Sequence, residues 1–177
     1  MKSKVLALSA ITASFIAIIL TLGAYIELID LFAIVVSSVF VMVPLYYKSY
    51  LGGWLSCLAG GLIAFMCSGF NIMSLVFPAY FVFFGIYPLI RCKFLDKKVN
   101  LWVIYIVGII WCMLTFYGMY FYYTAIMGQI FEGVPVWIAK YLLYVVGIVG
   151  FVFYFIYDFY IVTARRSIDK YVGKIIK

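Results

Sequence analysis

Apolar runs of roughly twenty residues follow one another along almost the whole chain, and no polar stretch between them is long enough to fold by itself. A helix needs about 17–25 predominantly apolar residues to cross a hydrocarbon core ~30 Å thick. Composition agrees with that solvent. Hydrophobic residues make up 69% of the 177 and charged residues only 11%, against roughly 45–50% and about 25% in soluble domains. So little charge cannot cover a water-facing surface. The chain reads as an all-α integral membrane protein.

Six spans fit the runs: Val5–Leu28, Leu31–Tyr47, Gly52–Phe70, Met73–Leu89, Leu101–Ile126 and Val136–Thr163. The first run is too long for a secretory h-region and lacks an A-x-A-like cleavage site, so it should remain as a helix. Gly52-Gly53 reads as a turn opening the third span, and a re-entrant segment at 52–70 is the alternative there. Pro44, Pro78 and Pro88 interrupt apolar runs and predict kinks, whereas Pro135 suits a first helical turn.

Basic residues give the bundle an expected orientation. Cytoplasmic loops carry the excess of Lys and Arg. Lys2 and Lys4, Lys48, the group Arg91, Lys93, Lys97 and Lys98, and the tail Arg165, Arg166, Lys170, Lys174 and Lys177 all fall on one side of a six-span bundle. Only Lys140 lies opposite, with Glu27, Asp30 and Glu132. Both termini are therefore expected in the cytoplasm, and the whole chain as a single transmembrane domain in a bacterial plasma membrane. The net charge of +7 flanks apolar runs and forms no separate domain, which favours a membrane surface over nucleic acid.

Catalytic groups are sparse. There is no histidine, and Cys57, Cys67, Cys92 and Cys112 form no C-x-x-C pair, so neither a metal site nor a Cys/His nucleophile is expected. No Walker-type loop occurs, so no cofactor is implied and ATP-driven work would fall to a partner. An enzyme is not the expected class.

Two polar groupings ask for a reason. Asp158 stands in the apolar run 151–162, about two turns before Arg165, and a carboxylate in hydrocarbon is costly unless it is paired or near water. It reads either as an interfacial residue or as a docking site. At the opposite end, Glu27, Asp30, Asn71, Gln129, Glu132, Trp137 and Lys140 gather with Tyr120, Tyr123 and Tyr144. Aromatic walls with a few polar groups are what a small-molecule pocket requires. The plainer reading is a solvated rim with an aromatic belt, since 21% of the chain is aromatic. Small residues also line helix faces: Ala10, Ala13, Ala17, Thr21 and Ala24 in the first span, Gly53, Ser56, Gly60 and Ala64 in the third. Such stripes permit close helix packing, either inside the bundle or on a partner.

Together these features resemble the substrate-binding S component of an energy-coupling-factor (ECF) vitamin transporter. The resemblance rests on length, six spans, the Ala-xxx-Ala element at Ala13 and Ala17, the stretch from Val41 to Gly61, and Tyr157-Asp158 followed by Arg165. It implies capture of a small vitamin-like molecule at the outer face, and a transmembrane coupling subunit driven by two cytoplasmic ATPases. By the same resemblance the alanine face of the first helix, with Asp158 and Arg165, would dock that partner, and Glu27 and Asp30 would belong to the gating loop. The competing expectation is a non-catalytic scaffold similar to the MreD-type subunit of cell-shape complexes, which needs no outer pocket.

Overall fold

The computed structural model describes residues 3–72, 74–97, 99–127 and 136–175, with the side chains of 27, 123, 126–127, 136–140 and 171–175 outside that description. Among the described residues the chain is helical and contains no strand. Six helices are long and apolar enough to cross a membrane. The protein is a multi-pass membrane protein.

We number the helices α1 (Ser3–Tyr25), α2 (Asp30–Phe40), α3 (Tyr50–Cys67), α4 (the interrupted span Val76–Asp96), α5 (Leu101–Met127) and α6 (Val136–Ile175). They divide into two compact units. The first comprises residues 1–98 and 160–177, the second residues 99–159.

Prolines explain where the first unit departs from regular helix. α2 stops at Phe40 and continues as a 3-10 turn, Val43–Tyr47, because Pro44 offers no N–H and disfavours α geometry in the residue before it. That turn ends on Lys48, which takes a left-handed conformation at φ 53. Ser49 then caps α3, its hydroxyl accepting from the Gly52 N–H at 3.1 Å. α3 is unbroken over 18 residues, about 27 Å of helix, long enough to span rather than re-enter. Gly52 and Gly53 lie inside this helix and are buried, not in a turn. In α4, the Pro88 ring would collide with the Phe84 carbonyl in a regular helix. The backbone widens instead into a π turn at Tyr80–Phe84, where the Gly85 N–H reaches back to the Tyr80 carbonyl at 2.7 Å.

The core of the first unit is built by bare backbone meeting side chains. A methyl at Gly60 of α3 would sit 2.8 Å from the Ala13 carbonyl oxygen and 2.7 Å from Ile16 Cγ2 on α1. One at Gly23 would sit 2.6 Å from Ala33 Cβ on α2. Lipid tails are as apolar as the helices, so association depends on this close approach and on hydrogen bonds between helices. The bonds are supplied by Ser56, which meets Thr12 Oγ1 at 2.9 Å and donates to the Ser9 carbonyl at 3.1 Å. Around them Ile16, Leu20, Val41, Met42, Leu45, Tyr80, Phe83 and Leu89 are fully enclosed. Cys57 and Cys92 are buried, as small apolar filler should be, and Cys67 is exposed.

The second unit is an antiparallel helix pair locked by aromatic rings seated on glycines. Tyr154 of α6 lies over Gly108 of α5, where a methyl would meet Tyr154 Oη at 2.2 Å. In return Tyr117 of α5 lies over Gly147 of α6, with Oη 2.6 Å from a methyl placed there. Between them Cys112 is buried and its thiol faces the Gly150 carbonyl at 3.8 Å.

α6 is longer than its apolar run. The charge cluster at Arg165 and Arg166 ends the lipid-compatible sequence, but Ala164–Lys170 remains good helix former and the helix continues to Ile175. Its 40 residues make about 60 Å of helix, roughly twice the hydrocarbon thickness.

Candidate functional site

At one end of the first unit, α1 and α3 finish side by side. The Tyr25 hydroxyl donates to the Cys67 carbonyl at 3.2 Å and ties the two together. α1 passes through the 3-10 turn Glu27–Ile29 into α2, where the Asp30 carboxylate accepts from the Leu31 N–H. α3 unwinds through Gly69 (φ 70) and Phe70 (φ 58) to Asn71, which is exposed. Asp30 and Asn71 are therefore brought to the same end of this unit. No side-chain geometry is described for Glu27.

Tyr120 and Tyr144 belong to the second unit and lie level on α5 and α6, one turn beyond the Tyr117–Gly147 contact. Tyr120 is half-buried and rests edge-on against Phe121, and Tyr144 is 63% exposed. Gln129 and Glu132 lie outside the described residues, as do the side chains of Tyr123, Trp137 and Lys140. Among the described residues, no three His, Cys, Asp or Glu side chains converge as metal ligands.

The docking residues inferred from the resemblance separate. Ala10 is exposed. Ala13 and Ala17 are only 5% and 6% exposed, and the Ala13 backbone forms the wall against Gly60. In this packing the alanine pair faces α3, and a partner subunit has no access to its Ala13 side. Small residues served the bundle first because α1 is the helix on which α2 and α3 both pack.

The opposite end of the first unit carries polar ties that the sequence did not reveal. Tyr50 at the start of α3 donates its hydroxyl to the Asp96 carboxylate at the end of α4. Arg165 donates to the Leu45 carbonyl at 3.4 Å and pairs with Asp169 one turn on, also at 3.4 Å. The partners are 46 and 120 residues apart, so no local pattern could have announced them. Arg91 was expected in a cytoplasmic connection with Lys93, Lys97 and Lys98. It lies instead within α4 and is 2% exposed, because the helix runs on to Asp96 past the end of the apolar run. Asp158, in the second unit, is likewise enclosed at 3% exposure.

Comparison with known family models, characterised proteins and solved structures finds no match to this chain.

Proposed function

We propose that the chain is the substrate-capture S component of an ECF-type transporter in a bacterial plasma membrane, with both termini in the cytoplasm. In this reading it takes a small vitamin-like molecule at the outer face. Uptake is then driven through a transmembrane coupling subunit and two cytoplasmic ATPases. The observation that carries the reading is the polar clasp at the basic end of the first unit, where Arg165 holds the Leu45 carbonyl and Tyr50 holds Asp96. Bonds of this kind fix the Lys48 turn, the end of α4 and the foot of α6 as one ordered surface. A subunit that must transmit work from a soluble motor needs a surface of that sort, and Arg166, Lys93 and Lys97 stand exposed around it. With Ala13 and Ala17 turned toward α3, docking on α1 passes to its exposed side at Ala10, about 10 Å up the helix from Ser3.

Affinity purification from native membranes, followed by mass spectrometry of bound small molecules and proteins, tests the reading. An ATPase pair and a vitamin-like compound should co-purify, and Arg165→Ala should lose the ATPases while keeping the ligand. Recovery of cell-wall synthesis proteins with no small molecule would replace the transporter with the scaffold.

A further inference from the structure

The first unit sorts its charges by direction at the end where Lys48 lies. α1 and α3 start together there, since Ser56 donates to the Ser9 carbonyl at 3.1 Å. The Tyr50–Asp96 bond brings in the end of α4, and the bond from Arg165 to the Leu45 carbonyl brings in the foot of α6. Both carboxylates at this end are held from within, Asp96 by the Tyr50 hydroxyl and Asp169 by Arg165. The cations are turned outward. Lys4, Lys48, Lys93, Lys97, Arg166 and Lys170 are exposed, and among the described residues none of the six is in an ion pair. Lys93 and Lys97 lie one turn apart on α4, as do Arg166 and Lys170 on α6, so each pair shares a helix face. Like charges at that spacing destabilise a helix, and an anion placed against them removes the repulsion.

Depth selects the anion. The span that begins with α2 ends at Tyr47 and the next begins at Tyr50, so only Lys48 and Ser49 connect them. A connection that short holds Lys48 at the membrane surface. Lys93 lies inside the apolar span Val76–Asp96, about one turn before its end, so its stem must run outward along the helix to bring the ammonium to the headgroups. Tyr46 and Tyr47, packed edge-on with ring centroids 5.3 Å apart, stand beside Lys48 where an interfacial belt belongs. Cations at this depth are within a Debye length, about 8–10 Å, of lipid phosphates. A soluble acidic protein would have to enter the headgroup layer to reach them. We infer that this face docks anionic lipid, holding phosphate headgroups of the phosphatidylglycerol kind in the leaflet at the Lys48 end. Lys48, Lys93 and Lys97 form one contact and Arg166 and Lys170 the other. The inference does not rest on the transporter reading and is tested on the chain without partner subunits, so either can fail without the other.

The test is native mass spectrometry of the full chain, delipidated in mild detergent and titrated with phosphatidylglycerol and phosphatidylethanolamine of identical acyl chains. A basic residue near an anionic surface contributes roughly fivefold in affinity. The unaltered chain should therefore retain phosphatidylglycerol over phosphatidylethanolamine by about 25-fold, the product of two such residues. Lys48→Gln/Lys93→Gln/Lys97→Gln and Arg166→Gln/Lys170→Gln should each lower that ratio at least about fivefold. Lys140→Gln, which removes the one basic residue assigned to the opposite face, should leave it unchanged, and excess inorganic phosphate should not displace the lipid. Equal retention of the two lipids by the unaltered chain overturns the inference. So do a ratio that survives both multiple variants, an equal loss in Lys140→Gln, or displacement by phosphate, which would make this a site for a free anion. Cys92, buried at this end, should stay unreactive to maleimide in each variant. Where it reacts, high ammonium acetate applied to the unaltered chain takes the place of substitution, because salt screens exposed charges: the ratio should fall toward one, and a ratio that persists overturns the inference.

Discussion

The contact of Gly60 with α1 yields a quantitative prediction. Gly60→Ala places a methyl 2.8 Å from the Ala13 carbonyl oxygen, 2.7 Å from Ile16 Cγ2 and 2.8 Å from Ile16 Cβ. The carbonyl belongs to the α1 backbone and cannot rotate away, so relief requires the two helices to part. Overpacking of this kind costs about 1–3 kcal/mol. Alanine also removes the entropic penalty of glycine in a helix, about 0.5–1 kcal/mol. The net loss lies between about 0 and 2.5 kcal/mol and centres near 1 kcal/mol, a roughly fivefold change in the folding equilibrium. Gly118→Ala is the matched control, because a methyl there has nothing within 4 Å and should give only the propensity gain of about 0.5–1 kcal/mol. The assay is titration of the purified protein from mild detergent into SDS. Maleimide reactivity of the buried Cys57 and Cys92 reports opening of the first unit, and in a background with Trp54, Trp102 and Trp137 changed to Phe the fluorescence of the remaining Trp111 on α5 follows the second. Gly60→Ala should move the midpoint to lower SDS and Gly118→Ala to higher. Shifts of the same sign and size in both would refute the claim that backbone contact, rather than helix propensity, sets glycine's role at position 60.

Three further outcomes are expected. Gly108→Ala should destabilise the second unit by about 1–3 kcal/mol, and adding Tyr154→Phe should restore part of that, since Tyr154 Oη is the nearest atom to the new methyl; no recovery in the same titration would mean that the ring body decides. Brief treatment with N-ethylmaleimide should modify Cys67 and spare Cys57, Cys92 and Cys112 until SDS is added, counted by intact mass; with an impermeant maleimide Cys67 should label from outside the cell, and labelling only from the cytoplasmic side would reverse the proposed orientation. Pro88→Ala supplies an N–H for the Phe84 carbonyl, so the π turn at Tyr80–Phe84 should tighten; unchanged amide chemical shifts across those residues would show that packing, not proline, holds it open.

The number of spans was legible because length and apolarity alone decide whether a helix can cross a bilayer. The ends were less so. Arg165 and Arg166 end a lipid-compatible stretch, yet a charge is no helix breaker, and α6 runs on to Ile175. Gly52-Gly53 resembles a turn by residue type, whereas its surroundings use the missing side chains: a methyl at Gly53 would meet Leu89, Leu45 and the Val41 carbonyl. Arg91 looked like loop because it is basic, and burial cannot be read from charge. At the candidate outer site, Asp30 and Asn71 do share one end of the first unit and Tyr120 and Tyr144 one level of the second. The clasps Tyr50–Asp96 and Arg165–Leu45 were invisible, since each joins positions far apart in sequence through ordinary residue types.

α4 and α6 divide mechanical labour in opposite ways. α4 carries Pro78, Pro88 and a π turn, so its hydrogen-bond ladder is already interrupted and can bend at little further expense. α6 has no proline from Val136 to Ile175 and keeps one ladder throughout. At a tilt of about 40° it would still rise roughly 46 Å along the membrane normal, well beyond the ~30 Å of hydrocarbon. Its surplus therefore reaches beyond the hydrocarbon. There Arg165 holds the Leu45 carbonyl and Ile168 is buried, so the end of α6 is gripped by the first unit while Arg166 and Lys170 stay exposed as its charged outer face.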